Sequence, residues 1–310
     1  MADLEHSPAM LDSSVVSARA RALAAAIEPV TGQVYFAPEC HEAYAGFGFA
    51  ASPAEIGGVA MPDGPAYFCS RGSVLGQVPG EVIAAAFGVF NPAIVVPLVA
   101  AGWTLVTAEQ ICAARTAGAV GQLTRILGAE PDGLARATAL LRRANEPLRP
   151  EGRPLYAGLL GLGLPGDPIG DMWRLADRLR EYRGDVHIAA WTSAGFDATE
   201  IGLLTELYWG LPLRSYSRTR AWSESDFDAA QARLEARGLV SDGAFTPAGR
   251  AAREGVERVT DDLCRPIVEA LGDDHEELVA ILGSWSAAVQ AAGGYPASGP
   301  HDLAGLTGGA

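Results

Sequence analysis

Residues 223–249 read SESDFDAAQARLEARGLVSDGAFTPAG and carry the clearest structural signal in the chain. The first part has apolar residues at helical spacing, with Phe227, Ala230 and Leu234 on one face. Gly238 follows where helices commonly end in a left-handed residue, a conformation that suits glycine because it has no Cβ. The spacing therefore predicts a helix that ends just before this glycine.

After this helix the pattern changes to that of a short hairpin. Residues 239–240 are typical of one strand, Asp242 and Gly243 of a tight turn, and residues 244–245 of the returning strand. Thr246 and the proline after it are typical of a helix start. The sequence therefore predicts a helix, a two-stranded hairpin and a second helix in immediate succession.

This arrangement resembles the winged helix of the MarR-type transcription regulators over residues 215–270. The residues that carry the resemblance are Leu234, Arg237, Gly238, Leu239, Val240, Phe245, Thr246 and Gly249. The chain as a whole also resembles an uncharacterised actinobacterial helix-turn-helix family, through segments 35–39, 70–71, 90–92, 183–187 and 219–222. Both resemblances imply a DNA-binding transcriptional regulator that forms a homodimer.

The distribution of charge opposes this expectation. The chain of 310 residues has a formal net charge of −14, and residues 215–270 contain eight Arg against ten Asp plus Glu. Phosphate binding needs clustered cations, so contact with DNA would fall to Arg218, Arg233 and Arg237. A winged helix kept as a scaffold or a dimer surface is the alternative.

Composition and periodicity predict an all-α or α-dominated fold. The chain is 49% hydrophobic and 19% charged, which is typical of a globular protein with a large core. Strand-like stretches are confined to residues 34–36, 66–68 and 239–245. We expect two helical domains, over residues 13–148 and 153–294. Residues 1–12 and 295–310 are expected to be flexible tails.

An internal repeat is a further hypothesis. A shift of 104 residues places the helix-like segment 80–87 on segment 184–191. Chance matching in an alanine-rich chain is the alternative. If the two halves pack about a pseudo-twofold axis, Glu81, Asp185 and His187 could approach one central cavity.

These three side chains support an enzyme as the alternative to a regulator. Gly184 is expected to interrupt a helix, which would put Asp185 at the cap of the next helix and His187 in its first turn. Two carboxylates and an imidazole can perform acid/base chemistry, here on a natural-product-like small molecule. A helix cap, a solvated carboxylate and a hydrogen-bonded structural histidine are the competing interpretations.

The leading hypothesis is a regulator that binds a small hydrophobic or aromatic ligand between the two halves. Surface salt bridges and ordinary core aromatics are the competing interpretations for the candidate ligand-binding residues. These residues are Tyr35, Glu39, Arg71, Asn91, Trp191, Arg220 and Trp222.

No metal site and no cofactor are expected. The consecutive residues 39–42 have metal-ligand side chains that point around a helix, and the glycine pattern at 161–166 lacks the strand–helix context of a nucleotide loop. All 23 Lys plus Arg residues are arginines, which excludes lysine Schiff-base chemistry and a phosphate-loop lysine.

A cytoplasmic protein is expected. The start of the chain is acidic where a signal peptide would be basic. The longest apolar stretch, residues 89–106, contains two prolines and predicts packed helices and no membrane span. The four cysteines are far apart and are expected to be reduced and buried.

Overall fold

The computed structural model describes residues 11–56 and 58–296, and this part of the chain is dominated by α-helices. The α-dominated fold expected from the sequence is confirmed. The helices are α1 (Ser13–Gly32), α2 (Pro38–Gly46), α3 (Gly64–Gly72), α4 (Gly80–Phe87), α5 (Pro92–Gly102), α6 (Ala108–Leu127), α7 (Leu134–Asn145), α8 (Pro154–Gly161), α9 (Pro168–Ser193), α10 (Ala198–Tyr208), α11 (Glu224–Ala236), α12 (Pro247–Leu263), α13 (Arg265–Leu271) and α14 (His275–Ala291). The strands are β1 (Glu55–Ile56), β2 (Val59–Ala60), β3 (Val240–Ser241) and β4 (Ala244–Phe245).

Helix α9 is the centre of the molecule. It has 26 residues and packs against α1, α6, α7, α8 and α12. Helix α1 lies against α9 and against α14 near the other end of the chain. The largest hydrophobic cluster therefore takes residues from both halves proposed from the sequence, including Leu23, Leu123, Leu140, Trp173 and Leu282.

Two smaller hydrophobic clusters flank this core. One joins α3, α4, α5 and α8 through residues such as Phe68, Phe87 and Leu155. The other joins the end of α9 to α10, α11, α12 and the β3–β4 hairpin, with Phe227 and Leu234 at its centre. The second cluster gives the region after α9 its own apolar interior.

The structure forms the helix, hairpin and helix at the expected positions. Ser223 caps α11, and Gly238 after it has a φ of +68°. Val240 pairs with Phe245 in an antiparallel register. The turn between the strands has positive φ at Asp242 (+51°) and at the following glycine (+73°), as a tight hairpin turn requires.

Several local expectations were wrong. Residues 33–35 form a 3-10 turn, and residues 66–68 lie inside α3. Gly184 does not interrupt a helix, because α9 continues from Pro168 to Ser193. A helical glycine costs only about 1 kcal/mol relative to alanine, and the packing of a buried helix outweighs that cost.

The segments aligned by the proposed repeat differ in local structure. Gly80 begins the short helix α4, whereas Gly184 lies well inside α9. Helix α7 ends at Asn145 and α8 begins at Pro154, so residues 146–153 between them are a loop. Of the expected tails, residues 1–10 and 297–310 lie outside the described part, Asp12 caps α1, and Tyr295 is buried.

Candidate functional site

A cavity of about 250 Å³ lies between α1 and α9 on one side and α10, α12 and α13 on the other. Helix α9 contributes Arg180, Arg183, Gly184 and His187, which are spaced i, i+3, i+4 and i+7 along one face. Helices α10 and α12 form a second wall. Helices α1 and α13 form an apolar wall with Ala20, Leu23, Ala24, Ile27, Ile267 and Val268.

One end of the cavity is lined by ion pairs between three helices. Arg71 of α3 donates two hydrogen bonds to Glu181 of α9, at 3.0 and 2.7 Å. Arg180 donates two to Glu28 of α1, at 2.8 and 3.0 Å, and one to Glu181 at 2.9 Å. Burial disfavours the charge of Glu181, but the two arginines outweigh burial and hold its pKa well below the ordinary value.

The other end is lined by residues that form ion pairs between α9 and α12. Glu257 accepts from Arg253 at 2.7 Å and from Arg183 at 3.1 Å. Arg183 also donates to Asp261 at 3.1 Å, and Arg21 of α1 donates to the same carboxylate at 2.7 Å. Burial raises the pKa of Asp261 to about 6 despite these two arginines. Each arginine named at either end of the cavity is thus paired with a carboxylate.

His187 is a neutral imidazole on the wall of the cavity. Its Nδ1 lies 3.0 Å from Thr260 Oγ1, and the Thr260 hydroxyl donates its own proton to the carbonyl oxygen of Val256. Nδ1 therefore carries the hydrogen, and Nε2 is the acceptor. Burial lowers the pKa of His187 to about 4, although Glu257 favours the charged form.

The structure does not bring Glu81, Asp185 and His187 together. Glu81 is exposed on α4. Asp185 is 2% exposed and accepts a hydrogen bond at 3.0 Å from the backbone N–H of Tyr156, in the first turn of α8. It caps α8 and not its own helix. Of the three, only His187 lines the cavity, so the acid/base arrangement is not assembled.

Arg71 is the one candidate ligand-binding residue that lines this cavity. Tyr35 is 7% exposed, and its ring lies under the guanidinium groups of Arg115 and Arg180 at 5.8 and 5.4 Å. Glu39 forms a surface ion pair with Arg125. Tyr35 therefore contacts Arg180, which lines the cavity, but neither Tyr35 nor Glu39 lines it.

Three of the other candidates, Asn91, Arg220 and Trp222, join the start of α5 to the segment before α11. The backbone N–H and the side-chain amide of Asn91 donate to the carbonyl oxygens of Arg220 and Ala221, each at 3.0 Å. The indole of Trp222 donates to the carbonyl of Val89 at 2.9 Å. The Arg220 guanidinium lies 4.7 Å from the centre of the Phe90 ring, and Trp191 is buried in the α10–α12 cluster.

Sequence reasoning missed most of the cavity's charged residues. Arg180, Arg183 and His187 follow helical spacing on α9, and Arg253, Glu257 and Asp261 do so on α12. That periodicity marks two polar faces within predicted helices. It does not show that the faces meet, because this depends on how α9 and α12 pack.

Two of the three arginines proposed for DNA contact are paired within the fold. Arg233 forms ion pairs with Asp197 and Glu200, and Arg237 lies 3.4 Å from Glu200. Arg218 is exposed and forms no ion pair in the part of the chain that the structure describes. Arg218 is thus the candidate whose charge is not neutralised by a carboxylate partner.

The described residues also bear on three other kinds of feature: a metal site, disulfide bonds and membrane-spanning helices. Residues 11–56 and 58–296 contain no cluster of three His, Cys, Asp or Glu side chains that could hold a metal ion. All four cysteines are buried and unpaired. Among the described helices, none is long and apolar enough to cross a bilayer.

The succession of α10, α11, the β3–β4 hairpin and α12 has the element order of a helix-turn-helix protein with a wing. A family model described as a helix-turn-helix family matches residues 20–296, so the chain belongs to this family. Neither the curated proteins nor the solved structures that were compared with it contain a match.

Proposed function

We propose that the protein is a ligand-responsive transcriptional regulator with a MarR-like winged helix, acting in the cytoplasm as a homodimer. The observation that carries the proposal is that the winged helix itself forms a wall of the cavity. Thr205 and Trp209 come from α10 and its end, and Arg253 and Glu257 come from α12. The opposite walls belong to the central core.

This arrangement gives a ligand a physical means to act on the winged helix. A molecule in the cavity would contact α1 and α9 on one side and α10 and α12 on the other. Helices α10 and α12 pack around α11 and the hairpin through one hydrophobic cluster. A ligand that fits one position of these helices better than another shifts the balance between the positions.

The proposed DNA contact uses the two exposed arginines that flank α11 and the wing. Arg218 precedes α11, and Arg250 follows the wing with its guanidinium 5.4 Å from the Phe245 ring. The exposed Glu224 and Asp228 of α11 are bound by Arg214, which reduces their repulsion of phosphate. A homodimer would present this surface twice, as regulators that bind paired half-sites do.

A mobility-shift assay with the DNA upstream of the protein's own gene tests the proposal. We expect a shift that weakens from 50 to 200 mM salt, since binding displaces counterions from phosphates. Absence of any salt-dependent shift would contradict the regulator. Size-exclusion chromatography with light scattering measures the oligomeric state. A monomer at all concentrations would contradict the proposed homodimer.

Arg218→Ala is the sharpest variant for this assay. It should weaken binding and reduce the slope of log K against log salt by about one, because the variant can no longer bind a phosphate at this position. Arg142→Ala is the matched control, because Arg142 is exposed on α7, away from the winged helix. Equal effects of the two substitutions would mean that Arg218 acts only through net charge.

A further inference from the structure

The hydrogen-bonding groups and the charges of the central cavity define the chemistry of its ligand. The acceptor is His187 Nε2, since Nδ1 is occupied by Thr260. The His187 side chain keeps 28% of its surface exposed, so the ring is reachable. A ligand beside it therefore meets an unprotonated ring nitrogen, which accepts a proton from a hydroxyl or amine.

The matching donor is one helical turn away. Arg183 uses Nη2 for Glu257 and Asp261, and its Nε and Nη1 groups have no hydrogen-bond partner among the described residues. Arg183 and His187 are spaced i, i+4 on α9, so their side chains are neighbours on the cavity face. Gly184 lies between them and leaves the space open: a Cβ there would meet only Glu181 Oε2, at 3.7 Å.

The charges around the cavity are balanced. Arg21, which pairs with Asp261, also forms an ion pair with Glu254 at 2.7 Å. With this pair included, the networks that extend from the two ends contain five arginines and five carboxylates, and His187 is neutral. The arginines are Arg21, Arg71, Arg180, Arg183 and Arg253, and the carboxylates are Glu28, Glu181, Glu254, Glu257 and Asp261. A charged ligand would have no counter-charge left to pair with, and an unpaired buried charge is costly. An uncharged ligand avoids that cost.

The volume of the cavity and its apolar wall determine the size and polarity of the remaining part of the ligand. A cavity of about 150 Å³ holds benzene, so the 250 Å³ present here suits one ring with a short substituent. The wall formed by α1 and α13 is aliphatic, with Ala20 and Ala24 leaving room beside Leu23. An apolar ring against this wall would place its polar groups toward α9.

We propose that the cavity binds an uncharged, ring-sized compound with a hydroxyl group that donates to His187 Nε2 and a carbonyl group that accepts from Arg183. This inference rests on the proposed ligand-responsive function and names its ligand class. The ring lies against α1 and α13, and both polar groups lie on the side where α9 faces α12.

The test is calorimetric titration of the full chain at pH 7 with three probes. 4-Hydroxyacetophenone has both polar groups and no charge, acetophenone lacks the hydroxyl, and 4-hydroxybenzoate carries a negative charge. We expect 4-hydroxyacetophenone to bind about fivefold to tenfold more tightly than acetophenone, since one buried hydrogen bond distinguishes them. The benzoate should bind more weakly than 4-hydroxyacetophenone.

Two variants locate the binding. His187→Phe keeps a ring but removes the acceptor, so the preference for 4-hydroxyacetophenone over acetophenone should disappear. Gly184→Leu places a side chain in the cavity and should abolish binding of both ketones, while circular dichroism reports an intact helical fold. Gly255→Ala on α12, a helical glycine outside this cavity, should bind as the wild type does.

Three outcomes would overturn the inference: no binding of 4-hydroxyacetophenone, no preference for it over the other two probes, or undiminished binding by a folded Gly184→Leu variant. The DNA assay separates this result from the proposed function. Probe binding without any DNA shift would leave the ligand class standing and remove the regulator. A DNA shift without probe binding would leave the regulator standing and remove the proposed ligand class.

Discussion

Asp185 shows how one buried carboxyl group joins two helices. It lies on α9, but it accepts from the backbone N–H of Tyr156 at the beginning of α8, whose own cap residue makes no side-chain hydrogen bond. Burial raises the pKa of Asp185 to about 7, although this hydrogen bond and one from Leu155 favour the carboxylate. The folded state therefore holds the Asp185 proton more tightly than the unfolded state does.

The pH dependence of stability tests this arrangement. Well below pH 4 Asp185 is protonated in both states. Between about pH 4 and 7 it keeps its proton mainly in the folded state, so the contribution of Asp185 to the stability of the wild type falls as the pH rises. Asp185→Asn has no proton to lose there. We expect the free energy of unfolding of the variant to gain about 2 kcal/mol on the wild type between pH 4 and 8, below the limit of about 4 kcal/mol that the full pKa change would give.

Urea unfolding of both proteins at several pH values measures this difference. Glu81→Gln, which removes an exposed carboxylate, serves as the control and should track the wild type. A difference between wild type and Asp185→Asn that stays constant from pH 4 to 8 would show that folding does not raise the pKa of Asp185.

At the scale of the elements, the joint between α5 and the winged helix depends on a few hydrogen bonds. Asn91 caps α5 through the N–H of Ala93 and also binds the carbonyl of Ala221. Trp222 adds the bond to the Val89 carbonyl. These contacts connect two hydrophobic clusters, one around α3 to α5 and one around α10 to α12.

Asn91→Ala should loosen this joint. Loss of the cap and of the bond to Ala221 should lower the free energy of unfolding by about 1–2 kcal/mol. Hydrogen exchange should become faster in α5 and in residues 217–222, because local opening there needs fewer broken contacts. Thr107→Ala, which also removes a helix cap, should speed exchange at the start of α6 and leave residues 217–222 unchanged. Faster hydrogen exchange at residues 217–222 in both variants would contradict a specific role of Asn91 in joining α5 to this segment.

At the scale of the whole molecule, the two halves expected from the sequence share one core. Helix α1 packs against α9, α12, α13 and α14, all of which follow residue 153. Buried arginines cross the same boundary, since Arg71 binds Glu181 and Arg115 binds Asp177 at 2.9 Å. Removal of one half would leave the partner charges and apolar faces of the other exposed.

Fragments 13–148 and 153–294 test this dependence. Each fragment alone should lack a cooperative thermal transition, and the two expressed together should form a folded complex, because the break falls in a loop. Circular dichroism and co-purification measure both outcomes. A cooperative transition of fragment 153–294 alone would establish that the C-terminal half is an independent domain.

The sequence predicts the winged helix well because its signals are local. The left-handed Gly238, the turn at Asp242 and the helix start at Thr246 each depend on residues only a few positions apart, and the structure has all three. The α-dominated class follows from periodicity in the same way. The candidate site is predicted less well: His187 and Arg71 line the cavity, whereas the other proposed ligand and catalytic residues lie elsewhere.

The sequence by itself therefore determined the fold class and the helix–hairpin–helix order, since backbone preferences are encoded in short segments. Only the tertiary structure decided that Gly184 stays within α9, that Asp185 caps another helix, and which carboxylate each arginine meets. Arg71 and Glu181 are 110 residues apart, and Arg180 and Glu28 are 152 apart. Such pairs form because packing of α1, α3 and α9 brings their polar faces together, and no local pattern encodes that packing.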